Sequence, residues 1–191
     1  ASMSGNGLIE RTRAEILSGE HGAEIRDLIA RGALFVVNHS AGKDSQAMHA
    51  VLRTLVPADQ IMVIHAELPE VDWEDNVEHI RDTAGDFPLV VTRAKKTFFE
   101  MVYHRGMFPS PAQRQCTSDL KRNPIERDIR RYLKENPRFG GLVVNCTGIR
   151  AAESASRAKQ NAFRHSEKNS KAGREWHEWM PIHHLSELEV F

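Results

Sequence analysis

The amino-acid sequence predicts an α/β fold: a doubly wound parallel sheet of the Rossmann-like kind, with helices on both faces. Three observations support this prediction: short apolar runs rich in β-forming residues, helical patterns between them, and brief connections. The runs are continuous rather than alternating, which is typical of strands that are buried on both faces. They cover residues 33–37, 61–64, 89–91 and 142–144.

Helical patterns account for much of the sequence between these strands. Residues 1–32 are predicted to form an N-terminal helical segment, because Ile25, Leu28 and Ile29 recur at helical spacing before Gly32. Residues 33–191 form the predicted main domain. Its predicted helices are one that follows Ser45 and ends before Pro57, one from Asp72 to Gly85, one begun by the capping box of Thr97 and Glu100, and one with Pro124 in its first turn.

The chain after the fourth strand is poor in apolar residues. Residues 150–174 are predicted to form a long loop that is partly mobile when no ligand is bound. Residues 176–182 are predicted to form a short fifth strand, and residues 186–189 the beginning of a helix. Trp176 and Trp179 alternate with polar residues, so we expect both to pack against the sheet.

The composition indicates one globular domain. The 191 residues include 26 Lys and Arg against 26 Asp and Glu, and 40% are hydrophobic. No apolar run approaches the roughly 20 residues of a membrane span, so we expect no membrane contact. The two cysteines, Cys116 and Cys146, argue against a disulfide scaffold, a four-thiolate zinc site and an iron–sulfur cluster. We therefore expect a cytoplasmic protein in which both thiols are unreactive.

The zero formal net charge conceals two segments of opposite sign. Residues 65–86 contain eight acids and one arginine, whereas residues 150–174 contain seven Lys or Arg and two acids. Two interpretations stay open. Both segments are solvated faces, or the basic segment closes over a polyphosphate or contacts a nucleic acid.

Residues 37–45 are the most informative stretch. They read Val-Asn-His-Ser-Ala-Gly-Lys-Asp-Ser and lie between the first strand and the next helix, where parallel sheets bind ligands. Helix-start amides, Gly42, the hydroxyls of Ser40 and Ser45, and the charge of Lys43 together suit an anion. The common P-loop pattern is not matched, because Asp44 follows the lysine. The alternative is a helix cap at Asp44 or Ser45.

This stretch resembles the Ser-x-Gly-Lys-Asp-Ser pyrophosphate loop of the PP-loop ATP-pyrophosphatase, or adenine nucleotide alpha-hydrolase-like, superfamily. It is more closely similar to the phosphoadenosine phosphosulfate (PAPS) reductase family, in its phage-type members. The segments that agree in order are His65-Ala66-Glu67-Leu68, 114–124, 148–154 with Arg157, and Met180-Pro181-Ile182. The resemblance spans about residue 33 to the end, and it implies a PP-loop adenine-nucleotide-binding domain.

The resemblance also implies roles for individual residues. Lys43, Arg150 and Arg157 would be catalytic, and Asp44 would hold Mg²⁺. For the two arginines, surface pairing with Glu153 is the alternative. The nucleotide-binding set, in which His39 is included for its place in the loop, is His39, Ser40, Ala41, Gly42, Lys43, Asp44, Ser45, Glu67, Lys121, Gly148 and Arg150.

Three functions stay open at this point. The first is an enzyme that binds ATP with Mg²⁺, in which an acceptor oxygen attacks the α-phosphorus and pyrophosphate leaves. The second is a PAPS or adenosine phosphosulfate reductase whose nucleophilic thiol lies elsewhere, since we expect the domain to lack the family's C-terminal Glu-Cys-Gly-Ile-His-like extension. The third is a non-catalytic nucleotide-binding module of a nucleic-acid modification system.

The expected partners are an adenine nucleotide and an acceptor that the sequence does not identify. Through residues 150–174 the protein would also contact a partner protein or a nucleic acid. A homo-oligomer is a further alternative.

Overall fold

The computed structural model describes residues 5–69, 72, 75–106, 108 and 118–190. Within these residues, six strands form one sheet in the order β3-β2-β1-β4-β6-β5. The strands are β1 Leu34–Asn38, β2 Ile61–Glu67, β3 Leu89–Arg93, β4 Leu142–Cys146, β5 Phe163–His165 and β6 Glu175–Trp179. The α/β prediction is confirmed, with one difference. The edge strand β5 runs antiparallel to β6, while the other strand pairs are parallel.

Helices cover both faces of this sheet. They are α1 Gly5–Ser18, α2 Gly22–Ala30, α3 Lys43–Leu55, α4 Asn76–Ala84, α5 Phe98–Arg105, α6 Asn123–Glu135 and α7 Ala155–Ala158. Shorter helical turns are Ala58–Gln60, Ser118–Arg122, Pro137–Phe139 and Ala151–Glu153. The capping box predicted at Thr97 and Glu100 begins α5, and Pro124 lies in the first turn of α6, as predicted.

Two apolar layers hold the helices on the sheet. Side chains of α1, α2, α3 and α4 pack with Phe35 and Val37 on one face. On the other face, Ile129 and Leu133 of α6 pack with Val36 and other residues of the strands. The alternation along β1 sends successive side chains to opposite layers, because neighbouring strand residues point to opposite faces. The continuous apolar runs in the sequence have this origin.

The N-terminal helical segment consists of two helices, which are joined by a turn of residues 19–21. Gly22 begins the second helix, where a Cβ would lie 2.2 Å from the carbonyl oxygen of Leu17. One boundary prediction is wrong in detail. The helix predicted from Asp72 begins at Asn76 instead. Asp72 accepts a hydrogen bond from the Leu68 amide at 2.7 Å, so its carboxylate closes a turn before the helix.

The long loop predicted for residues 150–174 is also wrong. This segment contains a helical turn, α7 and strand β5, and its buried anchors are Arg150, Phe163, Ser166 and Asn169. Three of these four anchors are polar. Hydrogen bonds hold them in place. For example, the Ser166 amide donates to the carbonyl of Trp176 at 2.8 Å. A search for apolar periodicity therefore overlooks the segment.

Trp176 and Trp179 are buried against the sheet, as predicted, and Cys146 is buried at the end of β4. Residues 186–189 form turns rather than the start of a helix. Cys116 and the rest of residues 114–117 lie outside the described residues. No helix in the described part of the chain is both long enough and apolar enough to cross a membrane.

The strand order reverses direction between β1 and β4. From β1 the chain proceeds outward through β2 and β3, then crosses to the other side of β1 to form β4. The carboxyl ends of these two central strands therefore leave a crevice, and in open α/β sheets ligands bind at such a switch point. The 37–45 stretch follows β1 directly into this crevice.

Candidate functional site

The first component of the site is the start of α3. Gly42 occupies the N-cap position with extended backbone angles (φ −86°, ψ 161°), and no side chain among the described residues caps the helix there. Neither Asp44 nor Ser45 is the cap, so that alternative is wrong. The first amides of a helix lack intrahelical partners and carry the positive end of its dipole. The start of α3 can therefore accept an anion.

Hydroxyl groups close the loop on itself. The Ser45 hydroxyl donates to the Gly42 carbonyl at 2.8 Å and accepts from the Ser40 amide at 3.2 Å. The two serine hydroxyls lie 3.4 Å apart. Between them Ala41 adopts a left-handed conformation, with φ 63°. A non-glycine residue pays about 1 kcal/mol for that geometry, so the surroundings hold the loop in shape.

His39 lies beneath the loop rather than at its surface. Its side chain is 2% exposed, and its Nδ1 accepts a hydrogen bond from the Ala41 amide at 3.1 Å. Burial lowers the pKa of His39 to about 4, and the nearby His65 and His79 act in the same direction. The ring is therefore neutral at pH 7 and supports Ala41 from below. Because it is buried, the His39 side chain offers little surface for direct contact with a ligand.

Arg150 is brought to the loop from the far side of the crevice. It is 4% exposed, and its guanidinium donates to both carboxylate oxygens of Asp44, at 2.9 and 3.4 Å. A buried guanidinium needs such a partner, because an unpaired buried charge is strongly destabilising. Arg150 is thus positioned beside the first turn of α3.

Gly148 allows that approach. A Cβ on Gly148 would lie 3.1 Å from the carbonyl group of Asp44 and 3.2 Å from the amide of Ser45. The backbone after β4 therefore packs directly on the first turn of α3. Any larger residue would have to push the two segments apart by a few tenths of an ångström.

The charge of Lys43 is met by the C-terminal turns. Its ammonium donates to Glu187 at 2.9 Å, and this contact lowers the pKa of the Glu187 carboxyl. Both side chains are partly exposed, so water competes for the contact. Both cations of the loop region, Lys43 and Arg150, are thus paired with carboxylates in the ligand-free protein.

Arg157 is not part of this cluster. It forms an ion pair with Glu153, which was the alternative interpretation of the sequence. Burial would raise the pKa of Glu153, but hydrogen bonds from the Arg150 amide and the Arg157 side chain outweigh it and the pKa is lowered. A contact between Arg157 and a phosphate stays a prediction.

The remaining two residues of the predicted binding set lie apart from each other. Glu67 ends β2 and forms an ion pair with Arg93 at the end of β3. Lys121 lies in the Ser118–Arg122 turn and lines a cavity on the α6 face of the sheet. The structure therefore gathers residues 39–45, Gly148 and Arg150 into one cluster, here called the loop site.

The residues present do not form a ready metal site. Both oxygens of Asp44 accept from Arg150, so a cation at Asp44 would share this carboxylate with the guanidinium. No group of three metal-ligating side chains occurs within the described residues.

Sequence reasoning missed a line of polar side chains on the α6 face, here called the polar row: Asn38, Asn145, Glu178 and Arg164. They come from β1, β4, β6 and β5, in the order of the strands in the sheet. Together they line a cavity of about 460 Å³. One signal was available, because β1 and β4 both contain Val-Val-Asn near their carboxyl ends.

The chain is similar to known proteins in sequence and in fold. The family model of the phosphoadenosine phosphosulfate reductase domain matches residues 35–191. No curated protein sequence matches the chain. Among solved structures, the PAPS reductase of Candida auris, in a phosphate complex, is 14% identical with a TM-score of 0.54, and the match covers 100% of this chain and 85% of that one.

Two flavin enzymes share the fold. The FMN adenylyltransferase of Candida glabrata, in complex with FAD and inorganic pyrophosphate, is 13% identical with a TM-score of 0.56. The yeast FAD synthetase, in complex with FAD, is 12% identical with a TM-score of 0.52. Both matches cover 100% of this chain, which spans 58% and 59% of those proteins. At such identities the likeness shows the fold alone. The family match covers most of the chain, including the whole loop site, and the chain belongs to the phosphoadenosine phosphosulfate reductase domain family.

Proposed function

We propose that the protein is an enzyme that binds ATP at the loop site and transfers its adenylyl group to an acceptor, with release of pyrophosphate. The observation that carries the proposal is the uncapped start of α3, with Lys43 and Arg150 on either side of it. Backbone amides at a helix start, two hydroxyls and two nearby cations supply the donors and the positive charge that a pyrophosphate group requires.

In the proposed reaction an acceptor oxygen forms a bond to the α-phosphorus. The bond from that phosphorus to the oxygen bridging the α- and β-phosphates breaks, and pyrophosphate leaves with the electron pair. The amides at the start of α3 and the Ser40 and Ser45 hydroxyls would hold the leaving group. Lys43 and Arg150 would exchange Glu187 and Asp44 for phosphate oxygens, so each cation keeps a negative partner throughout.

The family relationship supports adenine-nucleotide binding but also favours a second candidate, PAPS reduction. That reaction requires a nucleophilic thiol. Cys146 is fully buried, and burial raises the pKa of its thiol well above the usual value, an effect that Glu178 reinforces. A thiol of this kind is a poor nucleophile. Reduction would therefore need a thiol other than Cys146.

Labelled ATP separates the candidates. We expect the protein, with ATP and Mg²⁺, to release the γ-label as pyrophosphate while the α-label stays with adenosine, even when water is the only acceptor. The matched control is Gly42→Val, which should be inactive. Release of the γ-label as orthophosphate would contradict the proposal. Sulfite release from PAPS in the presence of thioredoxin would establish the reductase instead.

A further inference from the structure

The polar row is one connected network. Asn38 donates to the Asn145 side-chain oxygen at 2.6 Å and to the Cys146 carbonyl at 2.8 Å. Asn145 donates to Glu178 at 3.0 Å, and the register pairs these two residues directly across β4 and β6. The register then pairs Glu178 with Arg164 across β6 and β5. Four adjacent strands thus contribute one polar residue each.

The row begins where the apolar layer stops. Two residues earlier on the same face of the same strands lie Val36, Val143 and Trp176, each fully buried in the α6-side core. A fold that needed only stability would continue this core, since polar groups are costly to bury. The change from apolar to polar occurs at the same level on β4 and β6, where Asn145 pairs with Glu178, and two residues further along on β1, where Val36 pairs with Asn145. This change indicates that this part of the sheet faces a ligand rather than a helix.

The cavity above the row has a positive rim. Lys121 and Arg122 line it from the turn before α6, and Arg164 and Lys168 line it from the β5 side. Lys168 donates to the buried Glu126 at 2.9 Å. Four cations therefore surround two carboxylates, Glu126 and Glu178, which leaves an excess of positive charge. A volume of about 460 Å³ is in the range of small-molecule sites.

We propose that this cavity binds the acceptor of the adenylyl group, and that the acceptor is a small anion that also carries hydroxyl or amine donors. This inference rests on the proposed function. The row and the loop site share one strand end, because Asn38 belongs to the row and His39 begins the loop. A ligand in the cavity would therefore lie near the carboxyl end of β1, where the loop site begins.

An anionic acceptor also simplifies the chemistry. A phosphate or carboxylate oxygen is deprotonated at pH 7, so it can attack the α-phosphorus without a protein base. The rim cations would select an acceptor with negative charge, and the polar row would select an acceptor with hydroxyl or amine donors. Glu178 already accepts from Trp176 at 2.8 Å through one oxygen and from Asn145 through the other. Each oxygen retains a lone pair for a ligand hydroxyl or amine.

Binding tests this inference without knowledge of the natural acceptor. The protein is first saturated with the α,β-methylene analogue of ATP, so that the loop site is filled. Ribose 5-phosphate and 3-phosphoglycerate are then titrated by calorimetry, with ribose and glycerol as their uncharged counterparts. We expect at least one of the two anions to bind about ten-fold more tightly than its uncharged counterpart, as charge-assisted contacts predict.

The diagnostic variant is Arg164→Ala, because Arg164 is exposed and its removal takes one positive charge from the rim, beside Glu178. It should weaken anion binding by about five- to ten-fold and leave the affinity for the ATP analogue unchanged. Arg81→Ala, which removes an exposed arginine of α4 far from the cavity lining, should change neither. Glu178→Gln is less suitable, since a glutamine can accept from only one of Trp176 and Asn145.

Two negative results have separate meanings. Normal binding of the ATP analogue without anion binding, or with equal anion binding in Arg164→Ala, would overturn this inference alone. Failure of the analogue to bind the parent protein would overturn the proposed function and the inference with it.

Discussion

The two faces of the sheet's carboxyl edge are organised in opposite ways. On the α3 face, the loop site is built from consecutive residues 39–45, and its cations already have carboxylate partners: Lys43 with Glu187 and Arg150 with Asp44. On the α6 face, the polar row comes from four separate strands, and its carboxylate is held by neutral donors, Trp176 and Asn145.

This difference indicates a division of labour. A loop whose cations are paired in the empty protein must exchange partners when a polyanion arrives, so its occupancy is coupled to local rearrangement. The polar row needs no such exchange, because its carboxylate is held by neutral donors. Burial raises the pKa of Glu178, although hydrogen bonds from Trp176 and Asn145 act in the opposite direction. We therefore expect the loop site to control nucleotide affinity and the cavity to control the choice of acceptor.

The largest expected effect concerns the loop backbone. Gly42→Val should weaken ATP binding on the order of 100-fold, because a branched side chain would occupy the space that a phosphate needs. The fold should persist, since a Cβ at Gly42 meets only the Ser40 hydroxyl, at 3.5 Å. Calorimetry measures the affinity, and Gly5→Val, a change at the start of α1 where a Cβ meets nothing within 4 Å, is a control outside the site. Unchanged affinity in Gly42→Val would mean that the loop is only a helix start.

The second prediction tests the buried ion pair of the loop site. Asp44→Ala should lower the free energy of unfolding by about 3 kcal/mol, because it leaves the Arg150 guanidinium buried without its partner. Asp27→Ala is the matched control, since its pairing with Arg31 is exposed and such pairs contribute at most about 1 kcal/mol. Chemical denaturation measures both. Equal losses in the two variants would show that the Asp44 pair is no more important than a surface contact.

The third prediction concerns pH and the α3 face. Burial lowers the pKa of both His39 and His49 to about 4, from an ordinary value of 6.5. As the pH falls through 6.5 the unfolded chain gains protons that the folded protein does not take up, so stability decreases between pH 6.5 and pH 4. From pH 7 to pH 5 the loss is about 2 kcal/mol per histidine.

Urea denaturation at pH 7 and at pH 5 measures this loss. His49→Phe should reduce it by about 2 kcal/mol, since this ring can no longer be protonated; the side chain lines a cavity. Burial also lowers the pKa of His177, which adds to the loss in both proteins. The pKa of Glu178 is raised in the folded protein, which opposes the trend but is common to both proteins. The same pH dependence in parent and variant would contradict the assignment to His49.

The smallest expected effect is at Glu187. Glu187→Gln should raise the affinity for ATP by about two- to five-fold, because the nucleotide no longer competes with a carboxylate for Lys43. The lowered pKa of Glu187 means that it competes across the neutral range. Glu189→Gln, which alters a neighbouring carboxylate paired with Arg11, is the control. A decrease in affinity on Glu187→Gln would show that the contact positions Lys43 rather than blocking it.

The sequence predicts features that are formed by consecutive residues and misses contacts between residues that are far apart in the chain. The strands, the capping box of Thr97 and Glu100, and the loop of residues 39–45 are contiguous patterns, and the structure has them where the sequence places them. The burial of Arg150 against Asp44, across 106 positions, has no local signature. Strand β5 was overlooked because hydrogen bonds and a single phenylalanine, Phe163, anchor it.

The polar row shows the same limit more strongly. Asn38 and Asn145 are separated by 107 positions, and only the strand order makes them neighbours. Their roles depend on which face of the sheet each occupies, and that depends on register. A sequence reader could note Val-Val-Asn twice, but could not know that β6 supplies Glu178 beside the second copy.

The most direct test of the account is a competition titration at the loop site. ATP, AMP and inorganic pyrophosphate, each with Mg²⁺, are titrated into the parent protein and into Lys43→Ala. The account predicts that ATP binds at least about ten-fold more tightly than AMP, that pyrophosphate displaces ATP, and that Lys43→Ala loses most of the difference between ATP and AMP. Equal affinities for ATP and AMP in the parent protein, with no displacement by pyrophosphate, would contradict the claim that this loop holds the pyrophosphate group.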